Sequence, residues 1–497
     1  MPESGSSGSR RGIISAAGYL PHWRLQRSAV AAVLGGSQGK GTRTVASYDE
    51  DSLTMAVEAG RRALGRAGST ARDAVGSLWF ATTSPTYAEK TNATIAQAAL
   101  RLDADVLAAD AAGLRGANAA LRSALHSTDP VVLVLAGDIR TGLAGSPDER
   151  TGGDAGAALV VGDDSSGPLA AEYLGGASAT REFLDRWRGP GDLRTKAWEE
   201  RFGQQRYDDL AAQAWSAALK DAGLETDGVT AAVITGPHGR AGAALSKQLG
   251  AASVDIASTF ADTVGFSGVA HAPLVLADMI ERYPAGSVVA LISLADGADV
   301  FLFRVTGEAS SAEPTVATQV GSGDDALPYA KYLSWRGVLP IQPPNRPEPA
   351  RMSASAAERR LDWKYGFVGS IDRESQALHL PPARVSFKGH NLDDMDPAPM
   401  ADVQATVATF TVDSLAYSPS PPIVFAVADF DGGGRLPIEL TDVTASEVTM
   451  GMKLEMTFRR LNSADGIANY FWKARPVRGV GAGGADPSSA SDSNGDR

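Results

Sequence analysis

Residues 103–125 read DADVLAADAAGLRGANAALRSAL, and this stretch decides how the rest of the sequence is interpreted. An apolar run at 106–109 leads through a turn at Gly113 into a helix of small residues with one apolar face. A strand that feeds a helix N-terminus is a common position for a nucleophile, because the helix dipole and free N–H groups favour an anion. The residue at the head of this helix is Leu114, whose side chain can neither form a thiolate nor carry an acyl group.

The second half of the sequence repeats the pattern of the first half. Three segments have a later counterpart: 104–125 in 252–280, 130–138 in 286–297, and 155–162 in 298–305. Such a duplication predicts two similar βαβ-rich halves, 11–167 and 168–310, whose long apolar strands are covered by helices on both faces. The fold class expected for this part is therefore α/β.

Two stretches of the first half resemble the hydroxymethylglutaryl-CoA synthases of the thiolase superfamily. One is 103–125, and the other is SYDEDSLTMAVEAGRRAL at 47–64, which is similar to the family's first helix. The resemblance implies the thiolase-like architecture of duplicated α-β-α-β-α layers, with the ligand site where the halves meet. The acidic residues 49–51 are expected to cap the helix in solvent, because carboxylates favour a helix N-terminus.

The resemblance also locates three catalytic positions of the family. Leu114 stands where the synthases have the Cys that is acylated, Thr83 where they have a Glu, and Thr235 where they have a His. A Claisen condensation through an acyl-enzyme needs a nucleophile and a base. We therefore expect the chain to bind an acyl thioester without forming an acyl-enzyme, and Thr83 and Thr235 to donate hydrogen bonds to the thioester oxygen.

Three other residues are candidates for a general base. His238 lies three residues beyond Thr235, Asp262 stands in an Ala-Asp pair where the family has Gly-Asn, and His271 lies on the following helix. In an apolar setting Asp262 would have a raised pKa, which suits a base near neutrality. The alternatives are a solvent-facing loop residue for His238 and a packed helix residue for His271.

Residues 182–224 are charged, rich in aromatic residues and helical in period from Tyr207 onward. Their position and composition resemble the synthase insertion that precedes the second half. Arg186, Arg188 and Lys196 are candidates for binding CoA phosphates, since an Arg fork fits a phosphate bidentately. The alternative is a solvated helix pair without a ligand.

Residues 325–477 alternate apolar and polar positions between Gly and Pro breaks, which predicts a C-terminal all-β barrel. They resemble the acyl-CoA-associated OB-fold domain that works with thiolases and synthases and that carries a zinc ribbon. Matching on Gly369-Ser370 and on Leu380 to Pro382 gives the residues at the four ribbon ligand positions: Asp372, Ser375, Ser386 and Gly389. This set cannot make a closed tetrahedral zinc site, and the flanking His379 and His390 do not restore one. We expect no metal.

Composition excludes several classes of function. The chain has 497 residues, enough for two or three domains, and 43% hydrophobic against 21% charged residues is typical of a globular protein. A net charge of -12 argues against general nucleic-acid or membrane-surface binding. The absence of cysteine excludes disulfides, thiolate nucleophiles and cysteine-ligated metals.

No apolar stretch reaches the ~20 residues of a membrane span, and we identify no secretion signal, so a cytoplasmic protein is expected. Residues 1–10 and 478–497 are predicted to be disordered tails.

Three functions fit these observations. The first is a retro-aldol lyase acting on a β-hydroxyacyl thioester of CoA or of an acyl carrier. The second is a non-catalytic partner, a pseudoenzyme that supports an active thiolase or synthase. The third, condensation by an acyltransferase, is the most remote.

We also expect a homodimer formed through the apolar VVLVLAG strand at 131–137, or a heteromer with a thiolase-family paralogue.

Overall fold

The computed structural model describes residues 9–36, 39–307 and 314–478, so most of the two predicted tails lies outside the described residues. In chain order the strands up to Val305 are β1 (Arg11–Tyr19), β2 (Trp23–Gln26), β3 (Thr42–Val45), β4 (Val75–Thr82), β5 (Leu107–Ala112), β6 (Val131–Asp138), β7 (Ala155–Asp163), β8 (Ala171–Ala179), β9 (Arg186–Trp187), β10 (Lys196–Ala197), β11 (Ala231–Thr235), β12 (Asp255–Ile256), β13 (Val288–Leu294) and β14 (Ala298–Val305). Ten of them form one sheet in the order β12-β11-β13-β14-β8-β1-β7-β6-β4-β5.

The sheet consists of two similar halves that meet at β1 and β8. Only Gly12–Glu172 and Ile13–Ala171 pair across this junction. On either side the order repeats, so that β7, β6, β4 and β5 of the first half correspond to β14, β13, β11 and β12 of the second. The three outer strands of each half are parallel, and the fourth is antiparallel to them. The duplication that the sequence predicts is therefore present in the fold.

Helices fill the space between the half-sheets and cover their outer faces. They are α1 (Arg27–Leu34), α2 (Ser52–Asp73), α3 (Ala93–Ala99), α4 (Gly116–Leu125), α5 (Pro147–Thr151), α6 (Glu200–Ala222), α7 (Ala243–Ala251) and α8 (His271–Arg282). Helices α4 and α8 share one core with strand residues of both halves, such as Val134 and Val289. Helices α2 and α3 pack on the outer face of the first half. Helices α6 and α7 pack on that of the second. The expected α-β-α-β-α layers are confirmed.

The apolar strand β6 lies inside the sheet. It pairs with β4 on one side and with β7 on the other, so both of its edges are occupied. The prediction that this strand forms an exposed edge at a dimer interface is wrong, because the strand order buries it. The free edges of the ten-stranded sheet belong to β5 and β12.

The C-terminal part forms a closed five-stranded barrel in the order β18-β19-β20-β22-β21. Its strands are β18 (Ala405–Asp413), β19 (Ile423–Phe430), β20 (Arg435–Leu440), β21 (Lys453–Ala464) and β22 (Ile467–Pro476), and a three-stranded arm, residues 368–399, precedes them with β15 (Val368–Asp372), β16 (Leu378–His379) and β17 (Met395–Pro399). Four short helices connect the two parts: α9 (Val316–Gly321), α10 (Tyr329–Trp335), α11 (Ala354–Glu358) and α12 (Leu361–Lys364). The barrel and α2 share one apolar core.

The acidic residues before α2 are buried between the two parts. Asp51 caps the helix and accepts a hydrogen bond from the backbone N–H of Thr54. Asp49 and Glu50 form ion pairs with Arg459 of the barrel at 3.3 and 2.9 Å. The expectation of a solvated cap is wrong, because the barrel covers this end of the helix. None of the helices in the described ranges has the length and apolar character that a membrane span requires.

Candidate active site

A cavity of about 760 Å³ opens at the carboxyl ends of β4 and β5, beside the first turn of α4. We call it the Leu114 cavity, because Leu114 forms part of its wall. The chain turns into α4 at Gly113, whose φ of 83° places it in the left-handed region that favours glycine. The segment 103–125 therefore contributes residues to the wall of a cavity.

Thr83 lies in the wall of this cavity, but its hydroxyl is already engaged. Its Oγ1 donates to the carboxylate of Asp138 at 2.6 Å, and Ser84 Oγ donates to the same carboxylate at 2.8 Å. Asp138 ends strand β6, is fully buried, and also accepts from the backbone N–H of Val269 at 3.2 Å. The expectation that the Thr83 hydroxyl is free for a ligand oxygen is therefore wrong. Gly268 packs closely against the carboxylate of Asp138. A Cβ atom at position 268 would lie only 1.9 Å from Asp138 Oδ2.

Three arginines line the Leu114 cavity. Arg186 Nη2 lies 3.0 Å from Asp148 Oδ1, and Arg140 Nη2 lies 3.6 Å from the same oxygen. Arg188 donates to the carbonyl of Thr141 at 3.2 Å. Burial lowers the pKa of Arg140, although the charges of Asp138 and Asp148 oppose this change. One carboxylate is thus shared between two guanidinium groups, and the cavity wall also contains two carboxylates, Asp192 and Asp296.

Arg186 and Arg188 therefore lie at the cavity, as the sequence analysis expects, whereas Lys196 does not. Lys196 is on the short strand β10, where it is exposed and pairs in register with Trp187. Its side chain lies outside the cavity wall, because the two-stranded ribbon turns this residue to the surface. The structure therefore does not bring Lys196 together with Arg186 and Arg188 in the cavity wall, and its contact with a phosphate stays a prediction.

Asp262 is the clearest correction to the predicted site. Its side chain is 84% exposed and forms an ion pair with Arg27 Nη1 at 3.3 Å. It lies at a separate surface depression with Ile256 and Ser246, away from the Leu114 cavity. The predicted apolar setting for Asp262 is wrong, because the segment after β12 runs along the molecular surface. Its pairing with Arg27 gives it a structural contact instead.

Thr235 and His238 follow β11 but are absent from the cavity wall, although their neighbour Pro237 belongs to it. Thr235 is buried, and its Oγ1 has no hydrogen-bond partner among the described residues. His238 Nε2 lies 2.8 Å from the carbonyl oxygen of Glu200, at the start of α6. This contact directs the imidazole of His238 towards the helix. Neither Thr235 nor His238 lines the cavity, although both were expected at the ligand site.

His271 is a core residue at the first turn of α8. It is 3% exposed, and its Nδ1 lies 3.3 Å from the backbone nitrogen of Ser267. The ring packs on Phe266 with a distance of 5.2 Å between ring centroids. Burial lowers its pKa to about 4, so the imidazole is neutral near pH 7. The packed alternative fits His271 better than the role of a cavity base.

Two residues that the sequence analysis missed face each other at the cavity. Tyr207 of α6 accepts a hydrogen bond on its hydroxyl from the backbone N–H of Asp296 at 3.2 Å. Both residues line the Leu114 cavity. Burial raises the pKa of Tyr207, and the negative charges of Asp185 and Asp296 add to this effect. The carboxylate of Asp296 makes no hydrogen bond or ion pair within the described part of the chain.

Asp138 and Asp296 lie at the carboxyl ends of corresponding strands of the two halves, although not at matching positions. Asp138 ends β6, and Asp296 follows β13, the strand that corresponds to β6 in the second half. The sequence signal was available in the paired endings LAGD at 135–138 and LADG at 294–297. The first carboxylate is held by hydrogen bonds, whereas the second is open to the cavity.

The chain is similar in sequence and in fold to proteins of known family. The hydroxymethylglutaryl-CoA synthase of Methanopyrus kandleri is 28% identical over 312 residues, which are 60% of this chain and 88% of the relative. That of Methanosphaera stadtmanae is 26% identical over 345 residues, covering 66% and 99%. A crystal structure of hydroxymethylglutaryl-CoA synthase complexed with CoA matches with a TM-score of 0.56 at 19% identity, covering 65% of this chain and 89% of that one. Xanthomonas campestris OleA matches with a TM-score of 0.51 at 20% identity, covering 60% and 98%.

The chain is a thiolase-fold relative of the hydroxymethylglutaryl-CoA synthases. Its C-terminal barrel is similar to a second protein, since residues 398–459 match the family described as the C-terminal OB-fold domain of ChsH2. The expected combination of a thiolase-like part with an OB-fold barrel is thereby confirmed.

The arm of this synthase relative brings three of the four ribbon positions together. Ser375 Oγ donates to Asp372 Oδ2, and Ser375 Oγ lies 3.5 Å from Ser386 Oγ. Asn391 Nδ2 donates to Asp372 Oδ1 at 3.1 Å, a contact that the sequence analysis missed. Gly389 has a φ of 92° at the adjoining turn. Among the described residues no group of three His, Cys, Asp or Glu side chains could hold a metal ion, and the absence of zinc stays a prediction.

Proposed function

We propose that this protein binds an acyl-CoA thioester in the Leu114 cavity and cleaves a β-hydroxyacyl thioester by a retro-aldol reaction without an acyl-enzyme. The observation that carries the proposal is the combination of an open carboxylate, Asp296, and a buried guanidinium, Arg140, in one cavity of a protein without cysteine. A retro-aldol cleavage needs a base and a stabilised enolate but no covalent intermediate, and this pair of groups meets that need.

The proposed reaction needs only the substrate and the carboxylate of Asp296 as reacting groups. Asp296 takes the proton of the β-hydroxyl group, and the oxygen then forms the carbonyl group of the leaving product. The bond between Cα and Cβ breaks, and its electrons form an enolate on the thioester. The proton held by Asp296 returns to Cα and gives the shortened acyl thioester. Arg140 stabilises the enolate oxygen, because a fixed cation in a buried site acts on the charge as it develops.

The placement of the thioester rests on the relatives and on the cavity wall. A synthase that resembles this chain is complexed with CoA. We propose that the acyl-carrying arm runs between the two halves to Leu114, and that Arg186 and Arg188 bind the phosphates at the cavity mouth. A guanidinium group binds phosphate bidentately, and both residues lie on the segment that closes the cavity. An acyl carrier could deliver the same thioester, since the reacting part is identical.

The first test compares two carboxylates. We expect the wild type to convert a β-hydroxyacyl-CoA into a carbonyl compound and a shorter acyl-CoA, measured by chromatography of both products. Asp296→Asn should lower the rate about 10²-fold or more and leave CoA binding intact. Asp262→Asn is the matched control, because Asp262 is an exposed carboxylate outside the cavity. Equal losses in both variants, or none in Asp296→Asn, would contradict the proposed base.

The second test addresses the covalent route. The protein is incubated with acetyl-CoA or acetoacetyl-CoA and its intact mass is measured after quenching. We expect no stoichiometric acyl adduct, because Leu114 cannot accept an acyl group and the chain has no cysteine. A stable adduct would reveal a Ser, Thr or Lys nucleophile and would overturn the proposed mechanism.

The alternative function is a non-catalytic partner of an active thiolase or synthase. It is favoured by one observation, the engagement of the Thr83 hydroxyl with Asp138 beside the apolar Leu114. Under this alternative, wild type and Asp296→Asn both bind CoA and neither cleaves any β-hydroxyacyl-CoA. Product formation by the wild type would exclude it.

A further inference from the structure

A second cavity, of about 430 Å³, lies where the thiolase-like part meets the barrel. We call it the junction cavity. Its wall is formed by residues of both parts and of their connection: 20–24, 58–62 of α2, 314–323, 401–404, 455–456 and 475–478. The Leu114 cavity shares none of these residues, so the junction cavity is a separate space.

The wall of the junction cavity contains more cations than carboxylates. Five arginines and three carboxylates line it. The three carboxylates are already used: Arg61 contacts Glu58 and Asp402 at 2.9 and 2.8 Å, and Arg475 contacts Glu455 at 2.7 Å. These contacts engage two of the five arginines, Arg61 and Arg475. With five guanidinium groups and three carboxylates, the wall keeps two net positive charges.

The three remaining arginines are Arg24, Arg62 and Arg478. Within the described residues, no carboxylate oxygen lies within 4.0 Å of their guanidinium nitrogens. Arg62 Nη1 donates instead to neutral oxygens, the carbonyl of Gly18 at 3.0 Å and the side chain of Gln319 at 2.6 Å. Arg24 donates to the carbonyl of Gln319 at 2.9 Å. Arg478 donates to a backbone carbonyl at the barrel end.

These arginines remain charged at neutral pH. Burial lowers the pKa of Arg24 and of Arg62 to about 10, and in Arg62 the charge of Arg475 adds to the effect. A value of about 10 still leaves the guanidinium protonated near pH 7. His22, which also lines the cavity, contributes no charge there, since burial lowers its pKa to about 4. Arg24 is buried and Arg62 half-buried without a carboxylate in direct contact, which is costly, and an anion in the cavity would relieve that cost.

We propose that the junction cavity is a second ligand site, which binds a phosphate-bearing anion independently of the Leu114 cavity. Guanidinium forks fit phosphate oxygens bidentately, and here they come from both parts of the molecule: Arg62 from α2 and Arg478 from the end of the barrel. The cavity has room for a group as large as a diphosphate. A free phosphate compound and the phosphates of a nucleotide offer the same chemistry.

Such a ligand would link the barrel to the thiolase-like part. An anion held by Arg62 and Arg478 together contacts both parts only while they are in place, so it binds the folded assembly and not the unfolded chain. Binding therefore raises the unfolding temperature in proportion to the logarithm of the ligand concentration. This stabilisation gives a readout that requires no knowledge of the reaction.

The test uses the full chain and three probes: inorganic pyrophosphate, ADP and citrate. We expect saturable calorimetric binding of pyrophosphate or ADP with a rise in the unfolding temperature. Binding of pyrophosphate but not ADP identifies a free phosphate compound as the ligand class, and binding of ADP alone identifies a nucleotide. Citrate tests whether any polyanion suffices, and citrate binding as tight as that of both phosphate probes would overturn the assignment to phosphate. Absence of binding by pyrophosphate and ADP would overturn the proposal altogether.

Variants then locate the site. Arg478→Gln should weaken the binding of the phosphate probe at least ~10-fold, because each charged hydrogen bond contributes about 1.5 kcal/mol or more. Arg62→Lys keeps the charge and should weaken binding less than Arg62→Gln. Arg435→Gln is the matched control, since Arg435 is an exposed barrel arginine paired with Asp429. Equal binding in Arg478→Gln and in Arg435→Gln would place the anion elsewhere and contradict the proposal.

Discussion

His271 is a residue whose protonation the fold itself restricts. Its imidazole is buried at the first turn of α8, and burial holds its pKa at about 4 against an ordinary value of 6.5. The unfolded chain therefore binds a proton on this residue between pH 6.5 and pH 4, while the folded chain does not. Since the unfolded state binds more protons in this window, the free energy of unfolding falls as the pH is lowered through it.

The first prediction follows from this linkage. In the wild type, His271 should lower the free energy of unfolding by about 2 kcal/mol between pH 7.5 and pH 5. His271→Asn should lose this part of the pH dependence, because Asn keeps an acceptor near Ser267 but does not titrate. Chemical denaturation at the two pH values measures the difference. His390→Asn, an exposed histidine of the arm, is the control. An unchanged pH dependence in His271→Asn would contradict the prediction.

Single site residues show where sequence reasoning succeeds and where it fails. Leu114 and Thr83 could be located because each follows an apolar strand within a short, recognisable segment. Asp262 could not, because β12 is only two residues long and the chain after it leaves the sheet for the surface. Asp296 was overlooked, although its carboxylate follows an equally recognisable strand. Its contact with Tyr207 joins residues 89 positions apart, which no local pattern reveals.

At the scale of elements, the arm is held by hydrogen bonds around one carboxylate. Asp372 accepts from Ser375 and from Asn391, and hydrogen bonds to Ser375 and Asn391 lower the pKa of its carboxyl group, although burial opposes them. Phe387 of the arm is 69% exposed and contacts the ring of His379, with 4.7 Å between the ring centroids. Polar contacts thus connect three of the four ribbon positions in the absence of metal ligands.

The second prediction concerns this arm. Elemental analysis of the purified protein should find well under one zinc per chain, because the ligand positions hold one carboxylate, two hydroxyls and a glycine. Asn391→Ala should raise the rate of proteolysis within the arm, since it leaves Asp372 with fewer donors. Asn469→Ala, in the barrel, is the control. Stoichiometric zinc, or equal proteolysis of both variants, would contradict this account.

The third prediction concerns the edge strand β5. Its first residue, Leu107, is 61% exposed, and the strand has a partner on one side only. We propose that the homodimer forms by pairing of this edge with a second copy, since an unpaired edge with exposed apolar residues favours association. Light scattering should show a dimer at micromolar concentration, and Leu107→Lys should shift it towards monomer. Val385→Lys, at an exposed position of the arm, should leave the dimer intact.

A monomeric wild type would contradict the homodimer, and recovery of the monomer as a complex with a paralogue would support the heteromer instead. The sequence could not identify the edge, because β5 and β6 are both apolar enough to be buried. Which of them ends the sheet depends on strand order, and that order is set by pairings between distant segments. The duplication could be predicted from the sequence, because it depends on local pattern alone.

At the scale of the whole molecule, a buried ionic network joins the barrel to the thiolase-like part. Arg459 of β21 contacts Asp49, Glu50 and Asp442 at 3.3, 2.9 and 2.6 Å, and all four side chains are buried. Burial raises the pKa of Glu50 to about 7, against the opposing charge of Arg459. Lys473 contacts Asp49 from the neighbouring strand at 3.0 Å. The sequence showed the acidic residues but not their cations, which lie some 400 positions further on.

We expect this network to determine how the two parts unfold. Because Arg459 lies between three carboxylates, Arg459→Met leaves Asp49 with Lys473 at 3.0 Å and Asp442 with Arg475 at 4.0 Å, and removal of one partner from a buried ionic group costs ~3–5 kcal/mol. We expect this loss in the free energy of unfolding, measured by urea denaturation, and a barrel that unfolds before the thiolase-like part. Arg373→Met is the matched control, since Arg373 pairs with carboxylates at the surface of the arm, where solvent screens the ion pairs and they contribute little to stability.

A second variant separates lost packing from unbalanced charge. In the background of Arg459→Met, Asp442→Asn removes one of the carboxylates that the arginine had balanced. If charge is the cause, the double variant should be more stable than Arg459→Met alone, and the barrel should again unfold together with the rest of the chain. If the double variant is less stable than the single one, the loss comes from packing, and the network does not connect the two parts by its charge.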